Sequence, residues 1–327
     1  MDDLRAPAKP SLAHSLRARA RRAEIALGKA QLLGLQHALI RAARVIPRRV
    51  TTPVGEVAVL ARLRPDDPAP LVFVHGFGGD KETWLLLALR LRRDRSLVLI
   101  DLPGHGGSAA IHGPAATPGG YASAVAAVLD ELRLSRVVLI GNSLGGGVAL
   151  RVARDAVDRI AAMVLVASVA PSSARSDTVT AWRRGDNPLI PGDTEEDHRA
   201  FIRLVTEKPP RVPRPIFRYV AARRAGAEAR LAHLFAGYVD APPEAAVPED
   251  LDALPMPTLV LHGACDRVVP TTTAEELTRG LPRARLHVLP GIGHAPQLED
   301  ARGTARLIEG FLGEQGLAPG PIGGARR

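Results

Sequence analysis

Three residues with the chemistry for nucleophilic attack on a carbonyl, Ser143, Asp266 and His294, each follow closely on a short strand-like run. A serine hydroxyl is a poor nucleophile until a base takes its proton. The base in turn needs a carboxylate to hold its tautomer and stabilise the imidazolium. Ser143 lies in Gly141-Asn142-Ser143-Leu144-Gly145, between the β-branched run at 137–140 and a small-residue helical pattern. A strand-to-helix turn this tight excludes a Cβ at Gly141 and Gly145 and pushes the hydroxyl out at the strand's end. The following helix aims its unpaired N–H groups at the place where a carbonyl oxygen would gather negative charge. Asp266 follows the run 258–261 and His294 follows the run 285–289. All three side chains are thereby expected on one rim of a sheet, where open α/β sheets hold their ligands.

The elements that must position them follow from periodicity. Arg49–Leu63 alternates around a turn at Thr52–Glu56, an opening antiparallel pair. Buried-strand runs recur at 71–74, 97–100, 137–140 and 160–168 with helical patterns between them, and resume at 258–261 and 285–289 before a last helix through Phe311. Asp80 is expected to cap the helix carrying Trp84 to Leu91. The fold class is α/β: a mostly parallel sheet with helices on both faces and a helical lid insertion. The core spans residues 49–169 and 254–313. The lid spans 170–253, too long for a loop, with Asp193 capping a helix over Thr194–Lys208 and Glu196 three residues on. Residues 314–327 read as a disordered tail. Residues 1–48 form a leader, helical in two pieces over Ser11–Ile46, with leucines at helical spacing among arginines: a basic amphipathic segment able to touch a membrane surface.

Composition narrows the function. The formal net charge is +9, but residues 1–50 hold eleven Lys/Arg against three Asp/Glu, so the basicity belongs to the leader and not to the body. With aromatic residues at 3%, stacking platforms for nucleic acid are lacking, and no nucleic-acid partner is expected. A single cysteine, Cys265, excludes an internal disulfide framework and is read as a small packed residue. No apolar run approaches the ~18 residues of a membrane span, and no secretory signal is legible, so a cytoplasmic or membrane-peripheral location is expected. Gly104–Gly107 and Gly145–Gly147 continue neither as a phosphate loop nor as a dinucleotide fingerprint, and metal-ligand spacing is absent, so no metal and no cofactor are implied. Asp101, His75 and His105 read as loop-structuring residues, His262 as a core histidine, and Arg183, Arg184, Arg223 and Arg224 as a solvated basic face.

Five stretches, His75-Gly76-Phe77-Gly78-Gly79-Asp80, Asp101 to Gly106, Gly141 to Gly146, Gly263 to Asp266 and Gly293-His294, together resemble the α/β-hydrolase superfamily over residues 50–313. The first is similar to that of lipases and monoacylglycerol-lipase-like esterases, and also to the acyltransferase component of acetoin-cleaving complexes, though no lipoyl module is present. The resemblance implies a serine hydrolase of carboxylic esters or related acyl substrates, with Ser143 as nucleophile, His294 as base and Asp266 as acid. It further implies an oxyanion hole from the backbone N–H groups of Phe77 and Leu144, with Gly76, Gly141, Asn142 and Gly145 supporting loop and elbow. Asn142 stands where histidine is more frequent. C–C bond hydrolysis of a diketone acid, acyl transfer to a thiol, and ligand binding without turnover are the competing expectations, because specificity lives in lid and pocket. The oligomeric state is not legible.

Overall fold

The computed structural model describes residues 12–111, 115–172 and 177–319. Eight strands build one sheet: β1 (Ile46–Thr52), β2 (Gly55–Arg62), β3 (Leu71–Val74), β4 (Leu97–Ile100), β5 (Val137–Asn142), β6 (Ile160–Val166), β7 (Thr258–Gly263) and β8 (Ala284–Leu289). Their spatial order is β1-β2-β4-β3-β5-β6-β7-β8. β2 pairs antiparallel with β1 and β4, and every other pairing is parallel. The registers Val74 to Gly141, Gly141 to Leu165, and Val166 to Leu261 align the C-terminal ends of the central strands. The loops that leave β3, β5 and β7 therefore share one edge.

Period-two alternation sends side chains to two cores. Val72, Val74 and Leu139 pack with α3 (Pro118–Glu131), α4 (Leu144–Asp155) and α9 (Thr271–Gly280) on one face. Phe73, Val138 and Ile140 pack on the other with α2 (Leu85–Ala88) and α11 (Ala301–Glu314). Both faces are covered, which is why these strands read as continuous apolar runs. α3 starts where its sequence says it should: the Thr117 hydroxyl accepts from Gly120 N–H and Pro118 occupies the first turn.

Several local expectations are corrected. α1 is one continuous helix, Leu12–Ala43, and β1 already begins at Ile46; nothing between Ser11 and Ala43 is a strong breaker. The Asp80 side chain caps nothing. It meets Arg223 at 3.3 Å, and the chain after it makes one 3₁₀ turn, Lys81–Trp84, before the short α2. The tail is ordered further than expected: α11 runs to Glu314, and buried Leu317 offers its carbonyl to Arg95 at 2.5 Å. Residues 1–11 of the leader and 320–327 of the tail lie outside the described residues.

Between β6 and β7 the chain forms α5 (Asp177–Arg183), α6 (Glu195–Val205), α7 (Arg214–Ala225) and α8 (Glu228–Val239). Here too the cap is shifted by one residue. Thr194 is the N-cap, and its hydroxyl accepts from Asp197 N–H while the Asp197 carboxylate accepts from Thr194 N–H.

Asp101, at the end of β4, is wholly buried and fixes the loops beside the site. Its carboxylate accepts from Lys81 N–H (2.7 Å), Lys81 Nζ (2.8 Å) and Gly107 N–H (2.7 Å). Burial alone would lower the Lys81 ammonium, but Asp101 and Glu82 outweigh it and hold it above the usual lysine value. Removing one partner of a buried ion pair strands the other charge. Asp101→Ala is therefore expected to cost about 3–5 kcal/mol in urea unfolding, and Asp101→Asn less, since its amide oxygen still accepts from Lys81 N–H.

Candidate active site

Ser143 joins β5 to α4 with φ 54° and ψ −120°, a region that side-chain-bearing residues rarely occupy and that costs of order 1–3 kcal/mol. Its surroundings over-determine that conformation. The Ser143 N–H donates to Val166 O at 3.0 Å, and its carbonyl accepts from Gly146 (2.9 Å), Val169 (3.2 Å) and Gly147 (3.3 Å). A Cβ on Gly141 would sit 2.2 Å from Gly145 O, and one on Gly145 would sit 2.1 Å from Val74 O. Gly76 lies directly against the elbow, its missing Cβ position 3.1 Å from both Ser143 Cβ and Asn142 Oδ1. Leu144 is the first residue of α4, so its N–H is one of that helix's orphan donors.

His294 and Asp266 meet as the sequence spacing expects. His294 Nδ1 lies 2.8 Å from Asp266 Oδ2, and the second oxygen of Asp266 accepts from Val268 N–H (2.8 Å) and Val269 N–H (3.0 Å). The Asp266 side chain is fully buried. Burial works against its ionised form, yet the His294 imidazole and its hydrogen bond, with His262 and the Val269 N–H, outweigh that and hold the carboxyl below the usual aspartate range. His262 is closer to this pair than its position in a strand suggested: Nε2 is 3.0 Å from Val269 O and 3.5 Å from Asp266 Oδ2, while its buried Nδ1 meets no partner. Burial pushes His262 below the ordinary imidazole value.

Asn142 connects the Ser143 turn to the His294 loop. Its Nδ2 donates to Val166 O (3.0 Å) and His294 O (3.3 Å), and its Oδ1 accepts from buried Gln297 at 3.1 Å. Glu299, at the end of α10 (Pro296–Glu299), is a contributor that sequence reasoning missed. It accepts from Gly293 N–H at 3.0 Å on one side and from Glu207 and Lys208 N–H at 2.8 Å on the other. No motif announces it, because its partners are backbone groups of two distant loops. Among the described residues no group of three or more His, Cys, Asp or Glu could hold a metal ion.

Phe77, Ser143 and Leu144 share a cavity of about 260 Å³, walled from the insertion by Val179, Leu189, Phe235 and Tyr238. The Phe77 ring packs edge-on against Phe235 (5.2 Å) and against His105 (6.2 Å). His75 fixes the loop behind Phe77: its Nδ1–H donates to Gly76 O (2.8 Å), and Nε2 accepts from Leu102 N–H (3.0 Å). Arg224 is no part of a solvated face. It donates to Gly78 O (3.1 Å) and Leu189 O (2.9 Å) and lies 3.9 Å over the Phe201 ring, and burial pushes its guanidinium down to about 10.

With this geometry in hand, comparison with known proteins decides the family: residues 71–307 match the alpha/beta hydrolase family. The chain belongs to it. This hydrolase is 32% identical over 253 residues to the 2-hydroxy-6-oxo-2,4-heptadienoate hydrolase of Pseudomonas putida, across 74% of the present chain and 88% of that protein. It is 30% identical to an esterase of Mycobacterium tuberculosis over 86% of its own length and 97% of the other. The crystal structure of a bacterial membrane phospholipase A superposes with a TM-score of 0.82 at 27% identity, covering 93% of this hydrolase and 97% of that chain. The relatives thus include esterases, lipases and C–C bond hydrolases, and the esterase and lipase likeness read from the loop at 75–80 holds.

His105 gives this hydrolase a measurable pH response. Burial, then neighbouring His75, push its imidazole down to about 3. The unfolded chain therefore takes up the proton first, and the stability held above about pH 6.5 is lost progressively as pH falls toward the folded value. His105→Gln is expected to flatten that decline when urea midpoints are compared between about pH 7 and about pH 4. An unchanged slope would show that His105 does not carry it.

Proposed function

We propose that this hydrolase is a serine esterase that cleaves carboxylic esters of apolar acyl chains through an acyl-serine intermediate. The observation that carries the reading is the His294–Asp266 pair at 2.8 Å, its loop tied through Asn142 to the strained Ser143 at the mouth of a mainly apolar cavity.

Asp266, kept ionised, holds the proton of His294 on Nδ1 and leaves Nε2 as the base. Nε2 takes the Ser143 proton as Oγ adds to the ester carbonyl, and the oxyanion is met by the N–H groups of Phe77 and Leu144. Collapse breaks the C–O bond, and the alcohol leaves with the proton from Nε2. Water then enters by the same base and releases the acid, restoring Ser143. The walls contributed by Leu189, Phe235 and Tyr238 make residues 170–253 a lid that sets acyl preference, and the apolar lining suits lipid-derived chains. A phospholipase among the structural relatives supports that substrate class.

A second reading, hydrolysis of a C–C bond in a diketone acid, is favoured by one feature besides its relatives. A smaller cavity of about 100 Å³ beside Gly78 and His105 is lined by Arg223, Arg224 and Arg230 against the single carboxylate of Asp80, which meets Arg223, and this leaves a net positive wall suited to an anionic group. Ester and vinylogous diketone substrates compared on one preparation separate the two, and turnover of the diketone alone would overturn the esterase reading.

Ser143→Ala and His294→Ala are each expected to lower kcat on short p-nitrophenyl esters by about 10⁶, the double variant being little worse because the residues act as a unit. Near wild-type turnover by Ser143→Ala would end the proposal. Phe235→Ala, which enlarges the cavity wall, is expected to shift the preferred acyl chain to longer esters in a kcat/KM series. An unchanged preference would remove the lid from specificity.

A further inference from the structure

α1 carries leucines both toward the fold and away from it, and among the described residues only the inner side has a partner. Its inner side lies on α7 of the insertion, where Gly28 approaches so closely that a Cβ would stand 1.9 Å from Pro215 O. Glu24 is engaged there by Arg218, which also holds Glu195 of α6 at 2.7 Å. Away from α7, Leu16 and Leu27 are exposed at 56% and 51% along one line of the helix, Leu33 and Leu35 at 41% and 49% flank that line to its two sides, and Ile46 just beyond the helix is exposed at 61%. Exposed alanines fill the space between them at 20, 23, 26, 30 and 38.

Charge indicates what covers the open side. From residue 12 to residue 55 the only acidic residue is Glu24, which α7 already engages. The leucine stretch is bounded by exposed Arg19, Arg21 and Arg22 before it and by Arg41, Arg44 and Arg48 after it. A second copy of the chain would bring arginines against arginines, whether the two helices ran parallel or antiparallel. No helix among the described residues is long and apolar enough to cross a membrane.

We propose that α1 docks this hydrolase on an anionic lipid bilayer, lying along the surface with Leu16 and Leu27 at the acyl boundary, Leu33 and Leu35 at its two flanks, and the arginines at either end among the headgroups. Because α1 rests on α7, the docked bilayer adjoins the insertion whose neighbouring helix α8 supplies Phe235 and Tyr238 to the cavity. The purpose of docking rests on the lipid-ester reading, but the docking itself does not.

The test is co-sedimentation of the full chain with vesicles of phosphatidylglycerol mixed with phosphatidylcholine, and with phosphatidylcholine alone, at low and high salt. Expected are binding to the anionic vesicles, several-fold weakening by salt, and a loss of about tenfold or more in a combined Leu27→Gln, Leu33→Gln, Leu35→Gln variant. That variant should keep its melting temperature and its turnover of a water-soluble ester, since these side chains face outward. No binding by wild type, or equal binding by the variant, overturns docking. So does a wild-type dimer in gel filtration that the triple change dissolves, because the surface would then be an interface between copies. Vesicle binding without ester turnover would leave docking standing and remove the esterase reading.

Discussion

The backbone of Ser143 is held in a conformation it would not choose, and the rest of the centre is arranged around that fact. A positive φ at a residue with a side chain persists only where neighbours leave no alternative. Here four backbone hydrogen bonds and two Cβ-free contacts close the alternatives. The second contact, Gly145 against Val74 O, requires β3 to lie next to β5, and that adjacency brings the loop at 75–80 beside Ser143. A sheet whose third and fifth strands were separated could hold the serine but would lose Phe77 from its side.

Much of this was legible because it depends on local chemistry. Gly141 and Gly145 bracket a turn only glycine can make, and Asp266 and His294 each follow a strand-like run too short for a helix. What was not legible depended on the folded neighbourhood. Asp193 and Thr194 are both competent caps one residue apart, and only the reciprocal bond with Asp197 selects Thr194. Asp80 has the right type for a cap but is drawn to Arg223, a residue over a hundred positions away. Arg224 reads as surface in a run of arginines, while its environment is two carbonyls and a phenyl ring. Glu299 acts on backbone N–H groups, which carry no sequence signal at all.

Arginine is the chain's structural cation, only four of its 43 basic residues being lysines. A guanidinium offers five donors in a fixed plane, so it can satisfy several carbonyls at once where an ammonium would be left short. Arg62 donates to Ala43 O, Arg95 O and Arg92 O, joining the end of α1 to the loop before β4. Arg95, fully buried, reaches Glu309 and Leu317 O and ties down the chain beyond α11. The many arginines in the body of this protein, balanced there by acids, are thus in part a means of cross-linking its interior.

The segment that ends α6 is bonded to the loops that carry both His294 and Asp266. Glu299 takes the N–H groups of Glu207 and Lys208 while it holds the His294 loop, and Arg267, next to Asp266, reaches Glu207 and the Arg203 carbonyl. The insertion and the Asp266 and His294 loops are therefore one mechanical unit. Exchanging this segment with that of another hydrolase, a common route to new selectivity, would strip Glu299 of two donors and Arg267 of its carboxylate. A graft that keeps 203–208 and replaces only the helices beyond residue 208 would leave the imidazole's footing intact.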